Sequence, residues 1–257
     1  MSSSGAAKPS VRIDSWISKF KVKKMSFQYT LSVDRHVPQT LENFIEGENS
    51  ELIRALHNQR DDFHGLWLYG GKSSGRSHLL RAFCDRDHEE LDRRSLYISC
   101  GDFRSEKIDQ FRALKLATGF GESVAIDDVD LFLGNREFEV VLFDIYERLR
   151  EEGGTLIVSH CRSALVAQFA LADLGSRFRS LMNFQLKELS DASKVSFLIQ
   201  RAEMRGFSLP DSVIGYWLSH APREMDILIN DFETLSEVML QKKQVLTVPL
   251  FKEVLGY

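Results

Sequence analysis

The 257-residue sequence holds three cysteines, Cys84, Cys100 and Cys161. They lie far apart, without the spacing of a metal cluster or a disulfide framework. An odd, unpatterned count fits a reducing cytosol, so a cytoplasmic location is expected. No apolar run is long enough to span a bilayer, and the N-terminus lacks the apolar core of a secretory signal, so no membrane partner is expected. No internal repeat is present. Bulk positive charge is also missing: the formal net charge is −4, which argues against wholesale coating of nucleic acid. The charge is unevenly placed, however. Residues 1–24 carry Lys8, Arg12, Lys19, Lys21, Lys23 and Lys24 against Asp14, a net of +5 that leaves −9 for the rest.

With 43% hydrophobic and 27% charged residues, the composition is that of a soluble globular protein with one large or two modest domains. Residues 1–24 read as a disordered basic arm, which a start at Met25 would omit. Residues 26–33 alternate, with Phe27, Tyr29, Leu31 and Val33 on one face. That pattern suits a small strand. It also suits an extended peptide, because Gln28-Tyr29-Thr30-Leu31-Ser32-Val33 resembles the Gln-x-x-Leu-x-aliphatic hexamer that binds the bacterial sliding clamp. In that reading Leu31 and Val33 fill an apolar pocket while the Gln28 amide makes directed hydrogen bonds.

The chain is organised around residues 66–80, Leu-Trp-Leu-Tyr-Gly-Gly-Lys-Ser-Ser-Gly-Arg-Ser-His-Leu-Leu. An apolar strand, a glycine-rich loop and a helix follow one another, the context of a phosphate-binding loop. Against Gly-x-x-x-x-Gly-Lys-[Ser/Thr], Gly70, Gly75 and Ser77 fit, and Arg76 replaces the lysine. The alternative register through Gly71-Lys72-Ser73 needs a glycine where Leu66 stands. The candidate nucleotide contacts are therefore Gly70, Lys72, Ser73, Ser74 and Gly75, with Arg76, Ser77 and His78 opening the helix. A planar guanidinium is not a compact ammonium, so binding is expected to survive and fast hydrolysis is not.

Further strands are expected at 95–99, 123–128, 155–159 and 183–186, with helices from 49, over 77–91, 108–116 and 137–150. This alternation predicts an α/β domain with a parallel, doubly wound five-stranded sheet and its ligands at the strand C-termini. From Ser190 the pattern turns helical, with helices at 193–205, 210–220, 222–240 and 247–255, so a small all-helical domain follows a boundary near Glu188. The domain reading is 1–24 arm, 25–39 clamp-binding segment, 40–188 nucleotide-binding domain and 189–257 lid.

Asp127 and Asp128 close an apolar strand. Two acids there suit Mg²⁺ binding and polarisation of an attacking water. Ser159 and His160 end the next strand, where a polar group can sense a terminal phosphate. Arg177, before the fifth strand, is either a surface ion-pair partner or an arginine finger. Arg223 follows Pro222 at an expected helix start, where a cation is disfavoured, so an anionic partner is expected for it, a bound nucleotide reached across the domain junction.

Loop, Asp-Asp strand, polar strand end, Ser-Arg-Phe, helical lid and Pro-Arg-Glu occur in the order found in AAA+ ATPases of the DnaA branch, which the chain resembles from about residue 40 to its end. Leu-Glu-Asn-Phe-Ile-Glu-Gly-Glu-Asn-Ser (41–50) resembles the opening of that branch, and Arg-Gly-Phe-Ser-Leu-Pro (205–210) its lid. Gly-Arg-Ser-His-Leu-Leu (75–80), with the clamp-like peptide in front, resembles the Hda family of DnaA-related regulatory inactivators. The resemblance implies an AAA+ domain holding ADP or ATP, or another nucleoside diphosphate, with Mg²⁺ at Asp127 and Ser77. It also implies catalytic roles for Asp128 and Arg177, the latter presented to ATP held by DnaA. Gln28, Leu31 and Val33 would contact the DNA polymerase III sliding clamp, and DNA would be reached indirectly through that clamp. Little or no intrinsic ATPase is implied, no origin reading is expected of a chain ending after its lid, and homo-oligomerisation is left open. The alternative is an ATP-hydrolysing loader or remodeller acting on DNA or a helicase.

Overall fold

The computed structural model describes residues 40–257 apart from 42–43, 59–61, 92, 104–114, 116–121 and 243–244. The basic arm, the peptide with Gln28, Leu31 and Val33, and nearly all of the helix expected over 108–116 lie outside the described residues. Five strands form one sheet: β1 (His64–Tyr69), β2 (Ser95–Ser99), β3 (Ser123–Asp127), β4 (Thr155–His160) and β5 (Met182–Gln185). Their order is β2-β3-β4-β1-β5, and every pairing is parallel. All five C-terminal ends therefore lie along one sheet edge.

Helices cover both faces, which is why the strands read as continuous apolar runs. On one face Trp67, Val124, Ile126, Leu156 and Val158 pack with Phe138, Leu142 and Leu149 of α3 (Arg136–Glu152) and Phe178 of α4 (Ala172–Arg179). On the other, Leu66, Leu68, Ala125 and Ile157 meet α1 (Ser50–His57) and α2 (Arg76–Leu91) through Leu52, Leu56, Leu79, Leu80 and Phe83. Each large side chain buried there contributes about 1.5–3 kcal/mol. Asn135 caps α3 by accepting from the Glu137 and Phe138 amides, and Gly153 ends it in the left-handed region. Gly154 is equally constrained, since a Cβ there would lie 2.6 Å from the Glu122 carbonyl oxygen.

Four helices follow: α5 (Asp191–Met204), α6 (Asp211–His220), α7 (Met225–Lys242) and α8 (Val248–Leu255). They close on their own apolar cluster, with Leu198, Trp217, Phe232 and Phe251 at its centre. Arg201 and Arg205 both reach Glu233 at 2.8 Å, tying α5 to α7.

Two elements differ from expectation. α4 was not expected; its eight residues include Gly175, which weakens the helical signal. α7 begins at Met225 rather than at Pro222, because the Leu228 amide bonds to the Glu224 carbonyl. Arg223 thus precedes the helix and lies outside its first turn.

Candidate nucleotide site

Residues 70–75 join the end of β1 to the start of α2. Gly75 has φ +95°, and a Cβ there would press on the Phe44 ring at 3.0 Å; a Cβ on Gly71 would meet Glu188 Oε1 at 2.9 Å. Ser73 (φ 62°) and Asp128 (φ 54°) are the two non-glycine residues with positive φ among the described residues. That conformation costs roughly 1–2 kcal/mol each, and both belong to this site. Ser74 Oγ and Arg76 Nη1 are buried without a hydrogen-bond partner among the described residues. Orphaned donors in a glycine-rich turn at a helix N-terminus fit a polyphosphate.

The acids stand beside this loop. Asp127 is 1% exposed; its Oδ2 accepts from the Tyr97 hydroxyl at 2.8 Å and its Oδ1 from the Ser159 hydroxyl. Ser159 Oγ in turn accepts from the Asp128 amide at 2.8 Å. The parallel register makes this possible: Ile126 is level with Val158, so Asp127 and Ser159 come next on adjacent strands. Ser159 is fully buried and acts by fixing both aspartates. The Asp128 carboxylate lies 3.1 Å from Arg76 Nη2. Burial and the neighbouring Asp127 push its carboxyl above the ordinary value, and Arg76 draws it partly back. Asp127 and the half-buried Ser77 offer the hard oxygen donors Mg²⁺ takes.

His160 is stacked on Trp67, ring centroids 5.1 Å apart. Asp130, His160 and Cys161 bring candidate ligand atoms within 4.8 Å of one another. His160 Nδ1, however, accepts the Arg162 amide at 2.7 Å, so a neutral ring carries its proton on Nε2 and has no lone pair free for a metal.

His78 faces the other way along α2. Its Nε2 is 3.1 Å from the Thr40 carbonyl oxygen, and its ring stands edge-on to Phe44. Burial lowers its imidazole pKa against the Thr40 hydrogen bond, with Arg201 and Arg81 assisting. Because the folded value lies below the unfolded one, its contribution to stability is complete above about pH 6.5 and is lost as pH falls through and below that value. The melting temperature should therefore drop between about pH 7.5 and 5.5. His78→Gln should flatten the slope, though only partly, because burial lowers His160 in the same direction.

Two lid groups complete the surroundings. The Ser73 side chain, beside the Asp226 carboxylate in the first turn of α7, holds that carboxyl below its ordinary value, and Lys72 adds to the effect. Arg223 Nη1 lies 2.5 Å from Asp191 Oδ2, its Nε donates to the Leu218 carbonyl at 3.1 Å, and its own carbonyl accepts from Lys194 at 2.7 Å. Arg223 thus has Asp191, within the lid, as an anionic partner.

Comparison with known families divides the chain at the same place. The model for the bacterial DnaA ATPase domain matches residues 36–187, and that for the Hda lid domain matches residues 191–255. The chain belongs to the DnaA-related AAA+ family and is Hda-like. Among solved structures, domain III of the Thermotoga maritima replication initiation protein DnaA has a TM-score of 0.71 at 21% identity, covering 86% of this chain and 97% of that one. AMPPCP-bound DnaA from Aquifex aeolicus has a TM-score of 0.67 at 19% identity, covering 81% and 69%. The Thermotoga maritima RuvB Holliday junction branch migration motor has 0.61 at 17%, covering 85% and 72%. At these identities the likeness is one of fold. No helix among the described residues is long and apolar enough to cross a membrane.

Within this AAA+ domain, the structure brings together the loop residues, Arg76, Asp127, Asp128 and Ser159. Arg177 stands apart, in the last turn of α4, with its side chain 43% exposed and Nε 3.1 Å from Glu147 Oε1. Sequence reasoning missed Tyr97, which read as filler in an apolar strand, and Asp226, an ordinary first-turn acid. Their roles depend on strand register and on lid docking.

Proposed function

We propose that this AAA+ protein is a nucleotide-bound regulator that promotes hydrolysis of ATP held by DnaA, acting with the DNA-loaded sliding clamp, and so restrains replication initiation. The ion pair between Arg76 and Asp128 carries the reading. The loop's cation is engaged with the carboxylate that would otherwise polarise an attacking water, which disfavours turnover in the chain's own site. Loop glycines, Ser74 and Arg76 would bind the phosphates of ADP or ATP, and Asp127 with Ser77 would hold Mg²⁺. The bound nucleotide would supply anionic charge between loop and lid and stabilise that arrangement by its binding energy. Arg177, 43% exposed and paired among the described residues with Glu147, is suited to meet a phosphate on another molecule. Residues 28–33 would tether the chain to the clamp through Gln28, Leu31 and Val33.

The test is the rate of DnaA-bound ATP hydrolysis with and without DNA-loaded clamp, beside the chain's own turnover. Slow intrinsic turnover and clamp-dependent stimulation are expected. Vigorous turnover without DnaA would favour a loader or remodeller. Gln28→Ala should weaken clamp binding about five- to tenfold, the worth of about one hydrogen bond, and leave ADP binding unchanged. Wild-type clamp affinity in that variant would remove the tether.

A further inference from the structure

Glu139 lies in α3 and is 0% exposed, an unusual place for a carboxylate. No ion pair involves it among the described residues. It accepts three backbone hydrogen bonds instead: Oε1 from Gly134 at 2.7 Å and Ala170 at 3.0 Å, Oε2 from Leu171 at 2.6 Å. Leu171 is the N-cap residue immediately before α4, its carbonyl accepting the first helical bond from the Gly175 amide. Leu171 offers α4 no side-chain cap, so the carboxylate of a neighbouring helix satisfies amides that the segment's own sequence leaves open.

The far end of α4 is tied to the same helix. Arg177 meets Glu147 of α3, eight residues beyond Glu139 and about 12 Å along the axis. Between the two ties, Leu174 and Phe178 are fully buried, and Phe178 packs on Trp67, Tyr146 and Phe169. A short helix pinned at its start and packed along one face can point a last-turn side chain in a reproducible direction.

We infer that Glu139 is a positioning residue: it anchors the start of α4 and thereby sets where Arg177 is presented to a partner's nucleotide phosphate. This rests on the arginine-finger reading of Arg177. The proposal explains why a buried carboxylate stands where an apolar residue would pack at lower cost, since only an acceptor-rich group can hold the 170–171 amides.

The test uses the full chain and three readouts. Glu139→Gln has one acceptor oxygen instead of two. Its maximal stimulation of DnaA-bound ATP hydrolysis should fall at least tenfold, while the ADP-induced rise in melting temperature stays as in wild type. Combined with Arg177→Ala, it should cause no further loss, because the arginine it positions is gone. Amide exchange at Ala170 and Leu171 should accelerate about tenfold or more, with β1 unchanged. Full stimulation in Glu139→Gln, additive loss in the double variant, or unchanged exchange at Ala170 and Leu171 would each overturn the proposal. If Glu139→Gln does not fold, Glu139→Asp takes its place; it keeps both oxygens but withdraws them by one carbon, and the same outcomes decide. Wild-type stimulation by Arg177→Ala alone would defeat the arginine-finger reading, while the exchange result would still judge the anchor.

Discussion

Arg177→Ala should leave the chain folded and able to bind nucleotide, yet reduce its stimulation of DnaA-bound ATP hydrolysis by about a thousandfold or more, the scale of an arginine finger. The structure separates the two effects. Arg177 is 43% exposed and its partner Glu147 24%, so losing the pair costs about 0–1 kcal/mol. The buried neighbours Leu174 and Phe178 keep α4 in place without it. Arg177→Lys should recover little, because an ammonium lacks the planar fork that spans two phosphate oxygens. Single-turnover hydrolysis by DnaA, read against each variant with clamp present, measures both. Undiminished stimulation by Arg177→Ala would leave the proposed mechanism without its agent.

Arg76→Ala should be the most damaging change to the chain's own site. The guanidinium is 13% exposed and lies against Asp128, whose carboxyl is already pushed up by burial and by Asp127. Removal takes away a cation aimed at phosphate and leaves that acid without its counterion. ADP affinity should fall about 10- to 100-fold, the worth of one charge-assisted hydrogen bond of about 1.5–3 kcal/mol. Arg76→Lys should keep most of the affinity and, with a smaller cation that releases Asp128, raise intrinsic ATP turnover. Calorimetric titration with ADP and steady-state turnover check these in one preparation. An alanine variant that binds ADP as tightly as wild type would show that the loop grips its ligand by backbone alone.

Much of the fold was legible from the sequence, because a parallel sheet covered on both faces writes its strands as unbroken apolar runs. Ser95–Ser99 and Asp191–Met204 fall within two residues of expectation. The phosphate loop and the acidic pair were equally visible, since their residue types are set by chemistry close by in the chain. Contacts between distant segments were not. Glu139 sits between the apolar residues Phe138 and Val141 of an amphipathic helix, so nothing local distinguishes it from a solvated acid. Two of its three partners are 31 and 32 residues away. Tyr97 reaches Asp127 across 30 residues. Arg223 likewise pairs with Asp191 across 32 residues, a contact that its place after Pro222 did not announce.

Asp226, in the first turn of α7, lies near enough to Ser73 and Lys72 for both to hold its carboxyl below the ordinary value, so the lid places an acid beside the loop. A phosphate bound by the loop would share that serine and lysine with the acid of the lid. Binding and the set of the lid are thereby coupled, and the opening helix of the lid would report on whether the loop is filled.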